Sequence, residues 1–173
     1  GIQNVEQDGY EADDIIGTIA NGANADDVDV MMVTPDKDFM QLVHDHIHMM
    51  KPDNNNGGFN IIDREGVKDY FGVYPEQVID VLAMIGDTAD NIPGVPGIGK
   101  KGAPKLIKKY GSLEAAIEDA PNIKGKRARE GLTEFGEQAL HAKYMVTIKT
   151  DVPDTVEWEE LEWEGPDKKE LGL

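Results

Sequence analysis

The chain contains no cysteine among its 173 residues, so disulfide bonds and thiolate metal sites are excluded. Any bound metal ion must therefore have oxygen or histidine ligands. The sequence also lacks an apolar run near the roughly 18 residues of a membrane span, and no signal peptide is visible. These absences predict a cytoplasmic protein with no membrane partner. Basic residues are scarce, 17 against 34 acidic ones, and the net charge of −17 argues at first against nucleic-acid binding.

The distribution of charge along the chain changes that view. Residues 1–90 carry 19 acidic and 4 basic residues, whereas residues 91–150 carry 6 acidic and 11 basic residues. Residues 151–173 are acidic again, with 9 acidic and 2 basic residues. A basic section between two acidic ones is more informative than the total charge, and it makes the middle of the chain a candidate surface for a polyanion.

The pattern of apolar residues predicts an α/β fold with a small sheet. "EADDIIGTIANGA" has helical spacing, and "VDVMMVT" has the composition of a short, largely buried strand of the kind found in parallel sheets. "HIHMMKP" and "GGFNIID" resemble two further strands joined by the turn-rich "DNNNGG". From residue 63 onward the chain is nearly all helical. The sheet is therefore predicted to be incomplete, and we expect its missing strands to precede residue 1.

Three acidic clusters lie at the ends of these predicted elements. They are Glu11, Asp13 and Asp14; Asp36 and Asp38; and Asp87 and Asp90. Each cluster alone has an ordinary explanation, as partners of a helix dipole or as a solvated turn. Seven converging carboxylates would repel one another strongly, and hard divalent cations such as Mg²⁺ or Mn²⁺ would relieve that repulsion. Two such ions about 4 Å apart can activate a water and stabilise the leaving oxygen in phosphodiester hydrolysis.

The stretch "NIPGVPGIGKKGAPKLIKKYGS" predicts a phosphate-binding hairpin. It has three glycines in "GVPGIG", followed by the five lysines Lys100, Lys101, Lys105, Lys108 and Lys109. A glycine-rich turn lets backbone N–H groups approach a phosphate at a helix N-terminus, and lysines add charge that reads the DNA backbone without reading bases. An ordinary turn before a solvated lysine-rich helix is the alternative, although such a helix does not need three glycines in six residues.

Four stretches together resemble a known family. "GYEADDIIGTIA", "VTPDKDFMQLV", "GDTADNIPGVPGIGKKGAPKLIKKYGSLE" and "TDVP", in this order and spacing, are similar to the 5′-nuclease domains of bacterial DNA polymerases I, members of the flap endonuclease superfamily. The resemblance implies a PIN-like α/β core with an incomplete sheet, followed by a mainly helical helix-hairpin-helix region. It also implies a structure-specific 5′-3′ exonuclease that uses two divalent ions in primer removal and repair.

The resemblance assigns roles by position. The implied metal ligands are Glu11, Asp13, Asp14, Asp36, Asp38, Asp87 and Asp90, and the implied catalytic residues among them are Asp13, Asp14, Asp36 and Asp38. The implied DNA-binding residues are Gly94, Gly97, Ile98, Gly99, Lys100, Lys101 and Lys105. The backbone carbonyls of Val95 and Ile98 are implied ligands of a potassium ion at the hairpin.

The resemblance also implies domains and partners. Residues 1–86 are expected to form part of the metal-binding core, residues 87–150 the DNA-binding helical region, and residues 151–173 an acidic linker. The expected partners are 5′-flap, nicked or duplex DNA of any sequence and the polymerase domains of the same chain. The resemblance implies a preceding segment with further strands and catalytic residues, which the given sequence does not include. We therefore expect the chain alone to be weakly active or inactive.

Two other functions fit part of the sequence. A haloacid-dehalogenase-like phosphatase would use "PDKDFM" and "GDTADN", but Met40 stands where that class has threonine or valine, and the glycine hairpin is left unexplained. A non-catalytic module that binds DNA structure would use only the hairpin and its lysines. His44, His46 and His48 leave a separate metal site open, although half-buried strand histidines are far more common.

Overall fold

In the computed structural model, which describes residues 3–53, 57–163 and 165, a small sheet and a layer of helices share one core. The strands are β1 (Val30–Val33), β2 (Ile47–Pro52) and β3 (Phe59–Ile62). The α-helices are α1 (Ala12–Ala25), α2 (Arg64–Phe71), α3 (Val78–Ile85), α4 (Ala103–Tyr110), α5 (Leu113–Glu118) and α6 (Lys126–Val146). The 3₁₀ helices span Lys37–Leu42, Pro75–Gln77, Ala120–Asn122 and Trp158–Leu161.

Local sequence signals set most helix ends. The Asp63 carboxylate accepts a hydrogen bond from the Gly66 N–H at the start of α2, and Gly72 ends that helix with a φ of 78°. Ser112 caps α5 in the same way through the Ala115 N–H. These caps satisfy backbone donors that have no partner within the helix. The order of strands and helices confirms the predicted α/β class with a small sheet and a helical second half.

The sheet is mixed and has the order β1-β2-β3. β1 runs parallel to β2, and β2 runs antiparallel to β3. The prediction that the β1 segment is largely buried is wrong, because Met31 is 41% exposed and Val33 is 65% exposed, whereas Met32 is buried. β1 is an edge strand whose second face is uncovered by the described residues. The turn predicted at residues 54–56 between β2 and β3 lies outside the described residues.

Helix α3 is the centre of the helical layer, with nearly every side chain buried. α6 packs along it and contains a kink at Phe135, where the backbone leaves helical geometry. Asp80 of α3 is only 6% exposed, and its carboxylate lies 2.6 Å from the Lys143 ammonium of α6. Lys143 also donates to Glu114 of α5 at 2.8 Å. A buried charge is tolerable when it is paired, so this triad fixes the three helices relative to one another.

The segment after α6 returns across α1. Gln41 donates to the Val146 carbonyl and accepts from the Ile148 N–H, and it thereby joins the 3₁₀ helix Lys37–Leu42 to this segment. Val152 N–H donates to the Thr18 hydroxyl, and the Trp158 indole donates to Asp26. Residues 151–161, assigned above to the start of a linker, therefore contact α1. The three-part domain division stays a prediction. Within the described residues, no helix has the length and apolarity needed to cross a bilayer.

Candidate metal centre and DNA-binding hairpin

The three acidic clusters meet in one cleft. Its walls include six of the seven predicted metal ligands, namely Glu11, Asp13, Asp14, Asp36, Asp38 and Asp90. The cleft is also lined by Ile92 and by residues 145–148, at the end of α6 and just after it. The start of α1, the end of β1 and the loop after α3 thus deliver their acids to one place, as the sequence predicted for element ends.

The seventh acid, Asp87, joins the same group through Asp38 and Asp90. One carboxylate oxygen of each of these three residues lies within 4.8 Å of the others. The Asp87 side chain is 10% exposed and that of Asp38 is 15% exposed, whereas Asp90 is exposed. Asp38 therefore belongs both to the cleft and to this compact trio.

Short-range hydrogen bonds orient the acids. Asp36 accepts from the Asp38 N–H at 2.9 Å and so caps the 3₁₀ helix that begins at Lys37. Asp36 also lines the cleft. Asp87 accepts from the Ala89 N–H at 2.8 Å, and its backbone pairs with Ile92 in both directions. These turns fix the backbone that carries each carboxylate.

One carboxylate oxygen of Asp14 joins α1 to the segment after α6. Asp14 Oδ1 accepts from the Lys149 N–H at 2.9 Å, across 135 residues of sequence. Gly17, one turn further along α1, allows this approach, since a Cβ there would lie 2.8 Å from Ile148 Cγ2. Asp14 thus has a structural role that sequence spacing did not indicate.

The electrostatics of the cleft reflect this crowding. The pKa of Asp13 is raised, first by burial and then by the charges of Asp36, Glu11, Asp38 and Asp14. The pKa of Asp38 is also raised, because burial outweighs the opposing effect of Lys37, and Asp36 and Asp87 add to the rise. The three clusters are therefore close enough to repel one another, which a cation in the cleft would relieve.

Lys37 supplies a local positive charge that the sequence analysis overlooked. Its ammonium donates a short hydrogen bond to Asp87 Oδ2 and lies 3.2 Å from Asp38 Oδ1. Hydrogen bonding to Lys37 holds the pKa of Asp87 below its ordinary value. The pKa of Lys37 is raised, because hydrogen bonding to Asp87 and the charge of Asp38 together outweigh its partial burial.

The donor set fits hard divalent cations. Asp38, Asp87 and Asp90 all offer carboxylate oxygens, the ligand type that Mg²⁺ and Mn²⁺ prefer. Asp38 Oδ1 is also one of three buried side-chain oxygens in the described residues that have no hydrogen-bond partner. Its charged neighbour is the Lys37 ammonium at 3.2 Å, and a coordinated cation at this position would replace that ion pair.

The glycines of the hairpin have different roles. A Cβ on Gly94 would lie 2.3 Å from the Ile85 carbonyl oxygen, so this glycine allows the loop to close onto the end of α3. Gly97 has a φ of +84°, and its Cβ would lie 2.8 Å from Arg127 Cβ on α6. Gly99 is exposed and has no atom within 4 Å of a Cβ position. Packing therefore explains Gly94 and Gly97, whereas Gly99 leaves open space for a ligand near the backbone.

The hairpin lysines all face solvent. Lys100, Lys101 and Lys105 are exposed, as are Lys108 and Lys109 at the end of α4. None of these five forms a salt bridge with a described residue. The side chains of Val95 and Ile98 point into the core, and the Ile98 N–H donates to the Val95 carbonyl. The hairpin and α4 therefore present five cations that no salt bridge with a described residue neutralises.

His44, His46 and His48 are not among the residues that line the acidic cleft. His46 lies 2.9 Å from Asp29 and 3.9 Å from Asp27, and hydrogen bonding to Asp29 raises its pKa. Among the described residues, the group with metal-ligating geometry consists of Asp38, Asp87 and Asp90 and contains no histidine. Sequence reasoning also missed the wall formed by residues 145–148, because no local pattern links the end of α6 to the cleft.

Comparison with known proteins places two family matches on this chain. The family described as "5′-3′ exonuclease, N-terminal resolvase-like domain" matches residues 1–72. The family described as "5′-3′ exonuclease, C-terminal SAM fold" matches residues 73–169. DNA polymerase I of Bacillus subtilis is 40% identical over 170 residues, and that of Rhizobium leguminosarum is 43% identical over 152 residues. The matches cover 98% and 86% of this chain but only 19% and 14% of those relatives.

Solved structures with a similar fold come from bacteriophage T5. A T5 5′-exonuclease with bound zinc has a TM-score of 0.72 and is 26% identical, over 82% of this chain and 51% of that one. A T5 flap endonuclease variant, in a pseudo-enzyme-product complex with DNA and metal ions, has a TM-score of 0.72 and is 25% identical. That match also covers 82% of this chain and 51% of the T5 chain.

Proposed function

This chain belongs to the 5′-3′ exonuclease family, and we propose that it forms the metal-binding site and the DNA-binding hairpin of a structure-specific 5′-3′ exonuclease or flap endonuclease. The proposed metal-binding site, made of the clustered carboxylates, is called the metal cage below. The observation that carries the proposal is the meeting of three carboxylate clusters beside an exposed, lysine-rich hairpin. The chain spans about a fifth of the DNA polymerase I relatives, so a partnership with polymerase domains of a longer polypeptide is part of the proposal.

We propose two groups of metal ligands that share Asp38. Asp38, Asp87 and Asp90 form one group, since their oxygens already lie within 4.8 Å. Glu11, Asp13, Asp14 and Asp36 form the other with Asp38 across the cleft. Bound Mg²⁺ or Mn²⁺ would supply an activated water and charge stabilisation for the leaving oxygen. Asp13, Asp14, Asp36 and Asp38 would then hold the reacting phosphodiester group in position through the coordinated cations.

The hairpin would hold the DNA backbone. The Gly99 backbone is open to solvent in the turn before α4, while the Gly102 and Ala103 N–H groups donate to the Gly99 carbonyl and fix that turn. Lys100, Lys101 and Lys105 would contact phosphates of any sequence. Gly94, Gly97 and Ile98 set the shape of the turn, and the carbonyls of Val95 and Ile98 are the proposed ligands of a potassium ion. If DNA is the substrate, the proposed activity takes place inside the cell.

A cleavage and binding experiment tests this function. Purified chain is mixed with 5′-labelled flap DNA and Mn²⁺, and product formation and fluorescence anisotropy are followed together. We expect binding that weakens steeply with salt, and at most slow release of 5′ fragments, which requires Mn²⁺ and which Asp87→Asn abolishes. The charge reversal Lys100→Glu, Lys101→Glu and Lys105→Glu should weaken binding at least tenfold. The control reversal at the exposed Lys124 and Lys126 should change it less.

The outcomes separate the alternatives. Salt-sensitive DNA binding without metal binding or cleavage would favour the non-catalytic DNA-binding module. Cleavage that persists in Asp87→Asn, or in excess chelator, would contradict the metal cage. No observation favours a phosphatase, and Met40, which stands where that class has threonine or valine, is a fully buried core residue.

A further inference from the structure

The ammonium of Lys37 occupies the compact part of the carboxylate cage. It contacts Asp87 and Asp38, two of the three residues whose oxygens converge within 4.8 Å. Lys37 is held there by its sequence position, because it is the first residue of the 3₁₀ helix that Asp36 caps. A monovalent cation thus lies where the proposed function requires a divalent one.

We propose that the Lys37 side chain is a built-in substitute for the metal ion. In the metal-free protein its ammonium holds Asp38 and Asp87 together, and it is displaced when the metal binds. This inference rests on the proposed metal cage and adds a role for a residue that is not a ligand. An ammonium cannot share two carboxylates with a metal ion at the same place, because both cations would lie within a few ångströms of each other and repel.

The displaced side chain has a place to go. Lys37 also lines a second cleft with Tyr70, Phe71, Val81 and Ile85, and Lys100 of the hairpin lies on the same cleft. The Lys37 side chain is 29% exposed and has a long flexible stem, so its ammonium can move without a change of backbone. Displacement would bring a second positive charge beside Lys100, on the side where DNA phosphate is proposed to bind.

The test compares Mn²⁺ binding and thermal stability of Lys37→Gln with the wild-type chain. Without Lys37 the metal displaces nothing, so we expect the dissociation constant for Mn²⁺ from calorimetry to fall about tenfold, equivalent to about 1.4 kcal/mol. In excess chelator Lys37→Gln should melt several degrees below wild type, because its carboxylates are uncompensated. In saturating Mn²⁺ that deficit should disappear.

Two control variants isolate the contact. Lys124→Gln removes the same charge from an exposed position that lines neither cleft, and it should change the Mn²⁺ dissociation constant less than about twofold, since screened charges act weakly. Lys37→Arg keeps the charge and should keep wild-type affinity within about twofold. A purely structural role for Lys37 predicts instead an equal melting deficit with and without Mn²⁺, and that result would overturn the inference.

A second measurement uses only the wild-type chain and decides the matter if Lys37→Gln does not fold. Lysines are acylated with a limiting amine-reactive ester, and the modified peptides are quantified by mass spectrometry. The rate at Lys37 should rise at least fivefold on addition of Mn²⁺, while the rate at Lys124 should not change. An unchanged or slower rate at Lys37 would overturn the inference. If neither wild type nor Lys37→Gln binds Mn²⁺, the proposed metal cage itself is wrong.

Discussion

Asp14 combines a structural hydrogen bond with a proposed metal contact, and two substitutions separate these roles. Asp14→Ala removes the acceptor of the Lys149 N–H, a charge-assisted bond of 2.9 Å. Such bonds contribute about 1.5–3 kcal/mol, and the partial exposure of this one places the loss near 2 kcal/mol. Asp14→Asn keeps an acceptor oxygen at the same position. It also removes a charge that raises the pKa of Asp13, so the repulsion it relieves offsets the weaker bond.

Thermal melts in excess chelator measure the structural role. A chain of this size shifts its melting temperature by about 2–4 °C per kcal/mol, so Asp14→Ala should melt about 4–8 °C below wild type and Asp14→Asn within about 2 °C of it. Mn²⁺ calorimetry measures the other role, and both variants should bind more weakly than wild type. Equal destabilisation by Asn and Ala would refute the hydrogen-bond reasoning. Wild-type Mn²⁺ affinity in Asp14→Asn would remove Asp14 from the proposed ligands.

Three further predictions concern the core, the loop and pH. Lys143→Met leaves Asp80 buried without its cation and should lower the free energy of unfolding by about 3 kcal/mol in urea melts. The control Lys126→Met breaks an exposed pair and should cost less than about 0.5 kcal/mol. Equal losses would contradict the triad. Gly86→Ala places a Cβ 2.3 Å from Gly94 N at a φ of +71°, so it should lower the free energy of unfolding by more than about 2 kcal/mol and weaken Mn²⁺ binding. The control Gly99→Ala meets no atom within 4 Å and should change that free energy by less than about 0.5 kcal/mol. Because the pKa values of Asp13 and Asp38 are raised, protons compete with metal there at a higher pH than at ordinary carboxylates. Calorimetry should show Mn²⁺ affinity falling as pH drops from 7 to 5, and an affinity that is flat or rises would contradict the raised pKa values.

Local patterns in the sequence predicted what local interactions determine. The caps at Asp63 and Ser112 and the helix end at Gly72 follow from turn and capping chemistry within a few residues. The position of β1 follows from its apolar run, but its exposure does not, because exposure depends on which elements cover each face. The ordinary expectation for a strand of this composition was therefore wrong at Met31 and Val33.

The candidate site was predictable as a set of acids but not as an arrangement. Acids at element ends suggested convergence, and the cleft brings them together as expected. Lys37, between two aspartates in sequence, reads as a solvated cation until the fold brings Asp87 to it. Gln41, which joins residues 105 and 107 positions away, carries no signal in its neighbourhood. Contacts of this kind depend on chain closure, which a pattern of neighbours does not encode.

The bond between Asp14 and Lys149 has a consequence for biosynthesis. It spans 135 residues, and the Gln41 contacts to residues 146 and 148 span almost as many. Translation releases the amino-terminal acids first, while the segment that supports them is still being synthesised. The nascent chain therefore carries its acids without the wall that completes the cleft. The cleft therefore stays incomplete until residues 145–149 have been synthesised.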